Sequence, residues 1–313
     1  MLARIAHELF WLGRYVARAE HTARMLDGVF QTDLAGSAEE PRQVELTWPG
    51  LLAVLGASTE GGRVGRDEAL RRLTLDEDEG ASLISCVARA REGARTVRDV
   101  ISADMWEVIN TTHLVLQRNE LSGHLLSNPN SVYRYVKERS ALFWGLTGRT
   151  MLRDEANSFL AAGGRIESAD MVLRMLRVAL PVAGEEDEPR TGQAQALLAA
   201  VGGLQAFRRA VPSPPNAVPV ARFLLYERSY PDSVAASVAA AERALEDADP
   251  SPRNSAPVLR LSRLSAELEF RRRADEPDTD LVGFCEQVQR ELSLVDGDIA
   301  GRYFATKSTP AMA

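Results

Sequence analysis

Apolar residues recur along this chain at the three- and four-residue spacing of a single helix face. From Ile5 they run through Leu9, Leu12, Val16, Ala19, Ala23 and Leu26. Residues 82–101 repeat the pattern through Leu83, Val87, Ala90, Ala94, Val97 and Ile101, with Ser82 placed to cap the helix after an acidic turn. Helix is then expected onward through Trp106 and Ile109 to about Arg118. Residues 131–160 read as helix, with room for a restart at Asp154. So do 166–180, 193–210, the stretch ARFLLYERSY, 233–247, 257–272 and 279–296. No run of alternating residues predicts a strand. Pro-rich and acidic connectors separate the helices, at 181–193, 211–219, 246–257 and 273–280. They are short, so the expected fold is all-α: a helical bundle forming a single domain over 1–306, with a flexible tail at 307–313.

Composition narrows the function classes. The 313 residues carry a net charge of −7, which argues against a nucleic-acid partner, whose binding domain is usually basic. Cys86 and Cys285 stand alone, outside any zinc or redox spacing, and read as buried free thiols. Glu8 and Arg14 interrupt any signal-peptide core. The longest uncharged stretch, 191–207, is too short and too rich in Gly and Gln to span a bilayer. A cytoplasmic protein with no membrane partner is expected.

Two segments echo each other. FWLGRYVARAEHTARML (10–26) aligns with LAAGGRIESADMVLRML (160–176) at a constant offset of 150. Gly13 meets Gly163, Glu20 meets Asp170, and Arg24-Met25-Leu26 meets Arg174-Met175-Leu176. A weaker echo sets 82–92 over 233–243 at an offset of 151. A fixed offset at two places suggests two pseudo-repeated halves, about 1–130 and 131–306. Gly13, Gly163 and Gly164 lie inside helices, where each costs about 1 kcal/mol relative to Ala. Gly13 and Gly163 are therefore expected to mark a tight crossing of the two related helices.

The first helix carries a second stripe: His7, Trp11, Arg14, Arg18, His21 and Met25. Glu20 precedes Arg24 by four residues, as Asp170 precedes Arg174, the favourable order for a helix ion pair. Trp11 is out of place on a fully wet face, so the stripe should lie half-buried against another helix or a partner.

With these segments in hand, the chain resembles the bacterial alpha-E family of helical domains with an E-R motif. MLARIAHELFWLGRYVARAEHTARMLD is similar to the family's opening block. Residues 87–110, 136–176 and 223–234 resemble later blocks. Two positions depart from the motif: Ala17 stands where the resemblance expects Glu beside Arg18, and Ser168 where it expects Arg beside Glu167. Gly164 stands where the counterpart of Arg14 would be. Either Arg18 and Glu167 pair across the two halves, or the motif has drifted to a purely structural role. The family's usual neighbours are circularly permuted ATP-grasp proteins and transglutaminase-like peptidases. The resemblance thus implies a role in ATP-dependent peptide ligation, with an ATP-grasp-type ligase as partner and a peptide as ligand.

Candidate chemistry is limited to charge. His7, His21, His113 and His124 show no metal-binding spacing. GLTGRT (145–150) lacks the lysine and the preceding strand of a phosphate loop. No nucleophilic set can be assembled, and no cofactor is implied. What remains is Trp11, Arg14, Arg18, Glu20, Arg24, Arg95, Arg139, Glu167, Asp170 and Arg174. These form either an ion-pair network that sets helix register or a pocket whose arginines hold a carboxylate or phosphate. The favoured expectation is a non-catalytic helical partner of an ATP-grasp-type ligase, docking through Trp11, Arg14 and Arg18. A stand-alone enzyme acting on a peptide or acyl-phosphate intermediate would instead need a deep pocket lined by Arg14, Arg18, Arg95, Arg139 and Glu167.

Overall fold

In the computed structural model, residues 1–35, 48–57, 64–118, 125, 128–180, 188–274 and 280–305 are described. The expected tail at 307–313 and His124 lie outside them. The described residues form thirteen α-helices and no strand: α1 (Ala3–Ala35), α2 (Trp48–Leu55), α3 (Arg66–Leu75), α4 (Leu83–Thr96), α5 (Ala103–Gln117), α6 (Pro129–Thr150), α7 (Glu155–Ala179), α8 (Glu188–Ala200), α9 (Leu204–Ala210), α10 (Ala217–Tyr226), α11 (Val234–Ala248), α12 (Ala256–Ala274) and α13 (Leu281–Ile299). A π-helical turn, Ala300–Phe304, follows α13.

Local rules account for most boundaries. The Asp154 carboxylate accepts from the backbone N–H of Ala156 and Asn157, which starts α7 at the expected restart. Two expected continuous helices are broken. The stretch 82–118 divides at 97–102, where Ser102 opens α5 by accepting from the Met105 N–H. The stretch 193–210 divides at Gly202, whose φ of +71° glycine adopts without strain. In both cases a capping residue and a turn override a continuous apolar periodicity.

Two helices form the centre, and they pack against each other more extensively than any other pair. α1 buries Leu9, Leu12, Ala19, Ala23 and Leu26, as its periodicity predicts. α7 is buried nearly all round: Leu160, Ile166, Val172, Leu173 and Leu176 point to different sides and all are inaccessible. A helix apolar or enclosed on every side belongs in the interior. The glycines set its distance from α1. A Cβ placed on Gly13 would run into the Leu160 carbonyl oxygen, and one on Gly163 into the Phe10 carbonyl oxygen. The two contacts exchange under the offset of 150. The expected crossing at Gly13 and Gly163 is therefore present.

The outer helices pack around α1 and α7 in matching order. α4 and α6 pack on α1, while α11 and α13 pack on α7; α8 reaches α1, while α2 reaches α7. The turns before α4 and α11 match bond for bond at an offset of 151. The Ser82 hydroxyl donates to the Asp76 carbonyl and accepts from the Ser85 N–H. The Ser233 hydroxyl donates to the Glu227 carbonyl and accepts from the Ala236 N–H. Cys86 Sγ donates to the Gly80 carbonyl, and Ser237 Oγ to the Pro231 carbonyl. Ser82→Ala and Ser233→Ala should each lower the unfolding free energy by about 1 kcal/mol in urea denaturation. A cost near zero at both would remove the capping account.

Candidate functional site

Where α1 crosses α7, the sequence places Arg14 and Arg18 one turn apart on α1, with Glu167 facing them from α7. Glu167 is wholly buried. Its Oε2 accepts from Arg14 Nε at 2.8 Å and from Arg18 Nη2 at 3.0 Å, and its Oε1 accepts from Arg18 Nε at 2.5 Å. The second acid is Asp296 on α13, which takes Arg14 Nη1 at 2.6 and 2.5 Å. Arg14 is only 6% exposed. Its guanidinium also lies over the Trp11 ring at 5.4 Å and near the Phe10 ring at 5.7 Å. Two arginines and two carboxylates thus tie α1, α7 and α13 together.

The electrostatics follow from this geometry. Burial alone would raise the Glu167 carboxyl, but the charges and hydrogen bonds of Arg14 and Arg18 outweigh it and bring it down to about 2. Asp296 moves the other way. Burial pushes it above the usual carboxylate range, the Glu167 and Asp170 carboxylates add to the rise, and Arg14 opposes it. Burial pushes the neighbouring Cys86 thiol up to about 12, against the pull of Arg18, so it is no nucleophile at neutral pH. Cys86 and Cys285 are both buried and unbridged.

The cluster has no charged counterpart at the matching positions of the two similar segments. At the offset of 150, Arg14, Arg18 and Glu167 correspond to Gly164, Ser168 and Ala17. All three counterparts are buried. Gly164 is covered by the Trp144 ring, whose Cη2 would lie 2.5 Å from an added Cβ. Trp144 on α6 stands opposite α7 much as Asp296 on α13 stands opposite α1. Arg14, Arg18 and Glu167 thus each have a neutral, buried residue at the matching position. The two departures from the E-R pattern, Ala17 and Ser168, belong to the neutral side, and Arg18 and Glu167 make the pair that bridges α1 and α7.

Of the other expected site residues, Asp170 lies near enough to act on Asp296 and Arg18, whereas Glu20, Arg24, Arg95, Arg139 and Arg174 make no contact with this cluster. Glu20 accepts from Arg24 Nη2 at 2.7 Å, further along α1. Asp170 accepts from Arg174 Nε at 2.7 Å, further along α7. Arg95 is exposed on α4 and pairs with Glu92. Arg139 lines a small crevice between α1, α4, α5 and α6 with Val16, Ala19 and Ser140. The deep pocket lined by Arg14, Arg18, Arg95, Arg139 and Glu167 is therefore not formed. Of the stripe Trp11, Arg14 and Arg18, Arg14 turns inward and is buried, while Trp11 and Arg18 are half-buried, as expected, Trp11 lying against Tyr15 with ring centres 5.6 Å apart.

The sequence reading missed Asp296, although the polar stripe Glu286, Gln289, Ser293, Asp296 on α13 has the same helical spacing as the stripe on α1. It also missed a second buried acid. Asp249 accepts from Arg302 Nε at 2.5 Å and from the Tyr303 hydroxyl at 2.6 Å, and these bonds hold it below the usual carboxylate range. They fix the π-helical turn, so that Phe304 packs on Phe10, His7 and Phe159 beside the glycine crossing. His21 Nε2 lies 3.1 Å from Ser168 Oγ, but both side chains are buried, so this contact is not open to a substrate. No cluster of metal-ligand type occurs among the described residues. No described helix is long and apolar enough to cross a membrane.

Residues 1–304 match the family described as Alpha-E, a predicted alpha-helical domain with a conserved ER motif. An uncharacterized protein of Mycobacterium bovis is 25% identical over 295 residues, covering 88% of this chain and 33% of its own length. Two uncharacterized proteins of Mycobacterium tuberculosis strains are 25% and 24% identical over the same extent. The chain spans about a third of the length of these relatives. No solved structure matches. The helical fold, the Arg18–Glu167 bridge between α1 and α7, and the match over residues 1–304 agree, and the chain belongs to the alpha-E family.

Proposed function

We propose that this protein is a non-catalytic helical module that works beside an ATP-grasp-type peptide ligase, binding the ligase or its peptide substrate. The observation that carries this reading is the mutual saturation of the charged cluster. Arg14, Arg18, Glu167 and Asp296 are occupied by one another, and Glu167 is held ionised with its oxygens facing guanidinium groups. A group so paired and enclosed is poorly placed to abstract a proton or bind an acyl phosphate. The lengths of the mycobacterial relatives support it too: a segment covering a third of a longer chain suits a module that acts with other parts.

The test uses the purified chain and the ATP-grasp protein of the same organism, analysed together and apart by size-exclusion chromatography and by ATP turnover with peptide substrate. The expected result is co-elution and a changed ligase turnover in the mixture, with no turnover by the chain alone. Independent elution with unchanged turnover would overturn the reading. Peptide or acyl-phosphate turnover by the chain alone would establish the enzyme alternative.

A further inference from the structure

An open groove of about 950 Å³ runs between α7 and α13, closed at one side by the C-terminal end of α2. That volume falls in the range of about 300–1,000 Å³ common to ligand sites. Its polar floor is one connected ladder. Arg174 donates to Asp170, Gln289 donates to the other Asp170 oxygen at 2.7 Å, and Arg177 donates to both Gln289 and Glu286 at 2.7 and 2.6 Å. Both carboxylates of the groove are therefore engaged.

Its arginines are not all engaged. The lining holds three of them, Arg174, Arg177 and Arg290, against Asp170 and Glu286. This leaves a local positive excess on a chain of net charge −7. Arg290 is exposed and has no ion pair among the described residues. Arg174 reaches the Val54 carbonyl with Nη1 only at 3.4 Å, and its Nη2 has no acceptor among the described residues. Beside these cations the walls are apolar: Val178 and Val282 line the groove, and Leu294 is half exposed.

We propose that this groove binds a carboxylate-bearing peptide segment. Arg290 and the outer edge of Arg174 would take the carboxylate, and Val178, Val282 and Leu294 would take apolar side chains. A guanidinium offers paired donors that match a carboxylate. A free phosphate would satisfy the arginines but leave the apolar walls wet. The inference is independent of which enzyme the protein works beside.

Fluorescence anisotropy of a short fluorescein-labelled peptide alternating leucine and glutamate, titrated with the full chain, tests it. Saturable binding is expected, weakening with salt. Arg290→Glu should weaken it by about tenfold or more, the scale of one charge-assisted bond. Ser293→Trp, which fills the groove, should do the same, while Arg95→Glu, far away on α4, should bind like the parent. A C-terminally amidated peptide with glutamine for glutamate should bind weakly. The proposal is overturned by absent saturation, by equal affinity in Arg290→Glu and Arg95→Glu, or by inorganic phosphate that displaces the peptide as well as unlabelled peptide does. Circular dichroism checks that each variant is folded.

Discussion

Glu167→Gln should lower the unfolding free energy on the order of 3 kcal/mol at neutral pH, measured by urea denaturation with circular dichroism. Removing one member of a buried ion network leaves the other charges uncompensated, at a cost of about 3–5 kcal/mol. Here two guanidinium groups lose their shared acceptor, and Arg14 has little solvent to turn to. The acid limb of the stability profile carries the same signature. With its carboxyl near 2 in the folded protein, Glu167 binds fewer protons there than in the unfolded chain, where it titrates near 4.5. Its contribution is complete above about pH 4.5 and is lost as pH falls toward 2. Asp296, shifted upward, has the opposite sign: it is protonated first as pH falls, and Arg14 then depends on Glu167 alone. Glu167→Gln should therefore flatten the slope between about pH 2 and 4.5. Because the cluster acts as a unit, Glu167→Ala with Arg18→Ser, the pair found at the neutral equivalent positions, should cost less than the two single changes summed. A single-variant cost below about 1 kcal/mol with an unchanged acid limb would show that the cluster does not hold the fold.

Gly163→Ala should destabilise the protein although alanine is the better helix former. In an open helix the change gains up to about 1 kcal/mol. At Gly163 the new methyl meets the Phe10 carbonyl, which is backbone and cannot turn aside, so α1 and α7 must move apart. Overpacking typically costs about 1–3 kcal/mol, and two central helices that buttress the rest place this case at the upper end. Gly13→Leu should be worse, since its first carbon already meets the Leu160 carbonyl. Gly145→Ala is the internal comparison. It lies on an exposed turn of α6 with no atom within 4 Å of the added carbon, so it should stabilise slightly. If Gly163→Ala and Gly145→Ala shift the melting temperature alike, the close crossing does not exist in solution.

These two expectations differ in how far the sequence announced them. The crossing was visible: glycines inside a helical pattern, at matching places in two similar segments, require a packing reason. The Arg18–Glu167 bridge was one of two readings, suggested by the division of the motif between the halves. Asp296 was not expected as the second acid on Arg14, because 282 residues separate them. Arg95 and Arg139 share residue type and helix placement with Arg14, yet face solvent and another crevice. Residue type and local spacing cannot say which of several amphipathic helices an arginine will meet.

By itself the sequence determined the all-α class, the Ser82 cap, the Asp154 restart and the apolar faces of α1 and α4. Each of these is set by neighbours within a few residues, through side-chain period and cap hydrogen bonds. Only the tertiary structure decided that one side of the α1–α7 crossing carries the charges while the matching positions on the other side, Gly164, Ala17 and Ser168, are neutral and buried. It also decided that α7 is buried nearly all round, and that the open groove lies beside Arg174 and Arg290 rather than at Arg14. Those outcomes depend on which helix faces which across the core, and burial then fixes which charges must be paired and which stay free for a ligand.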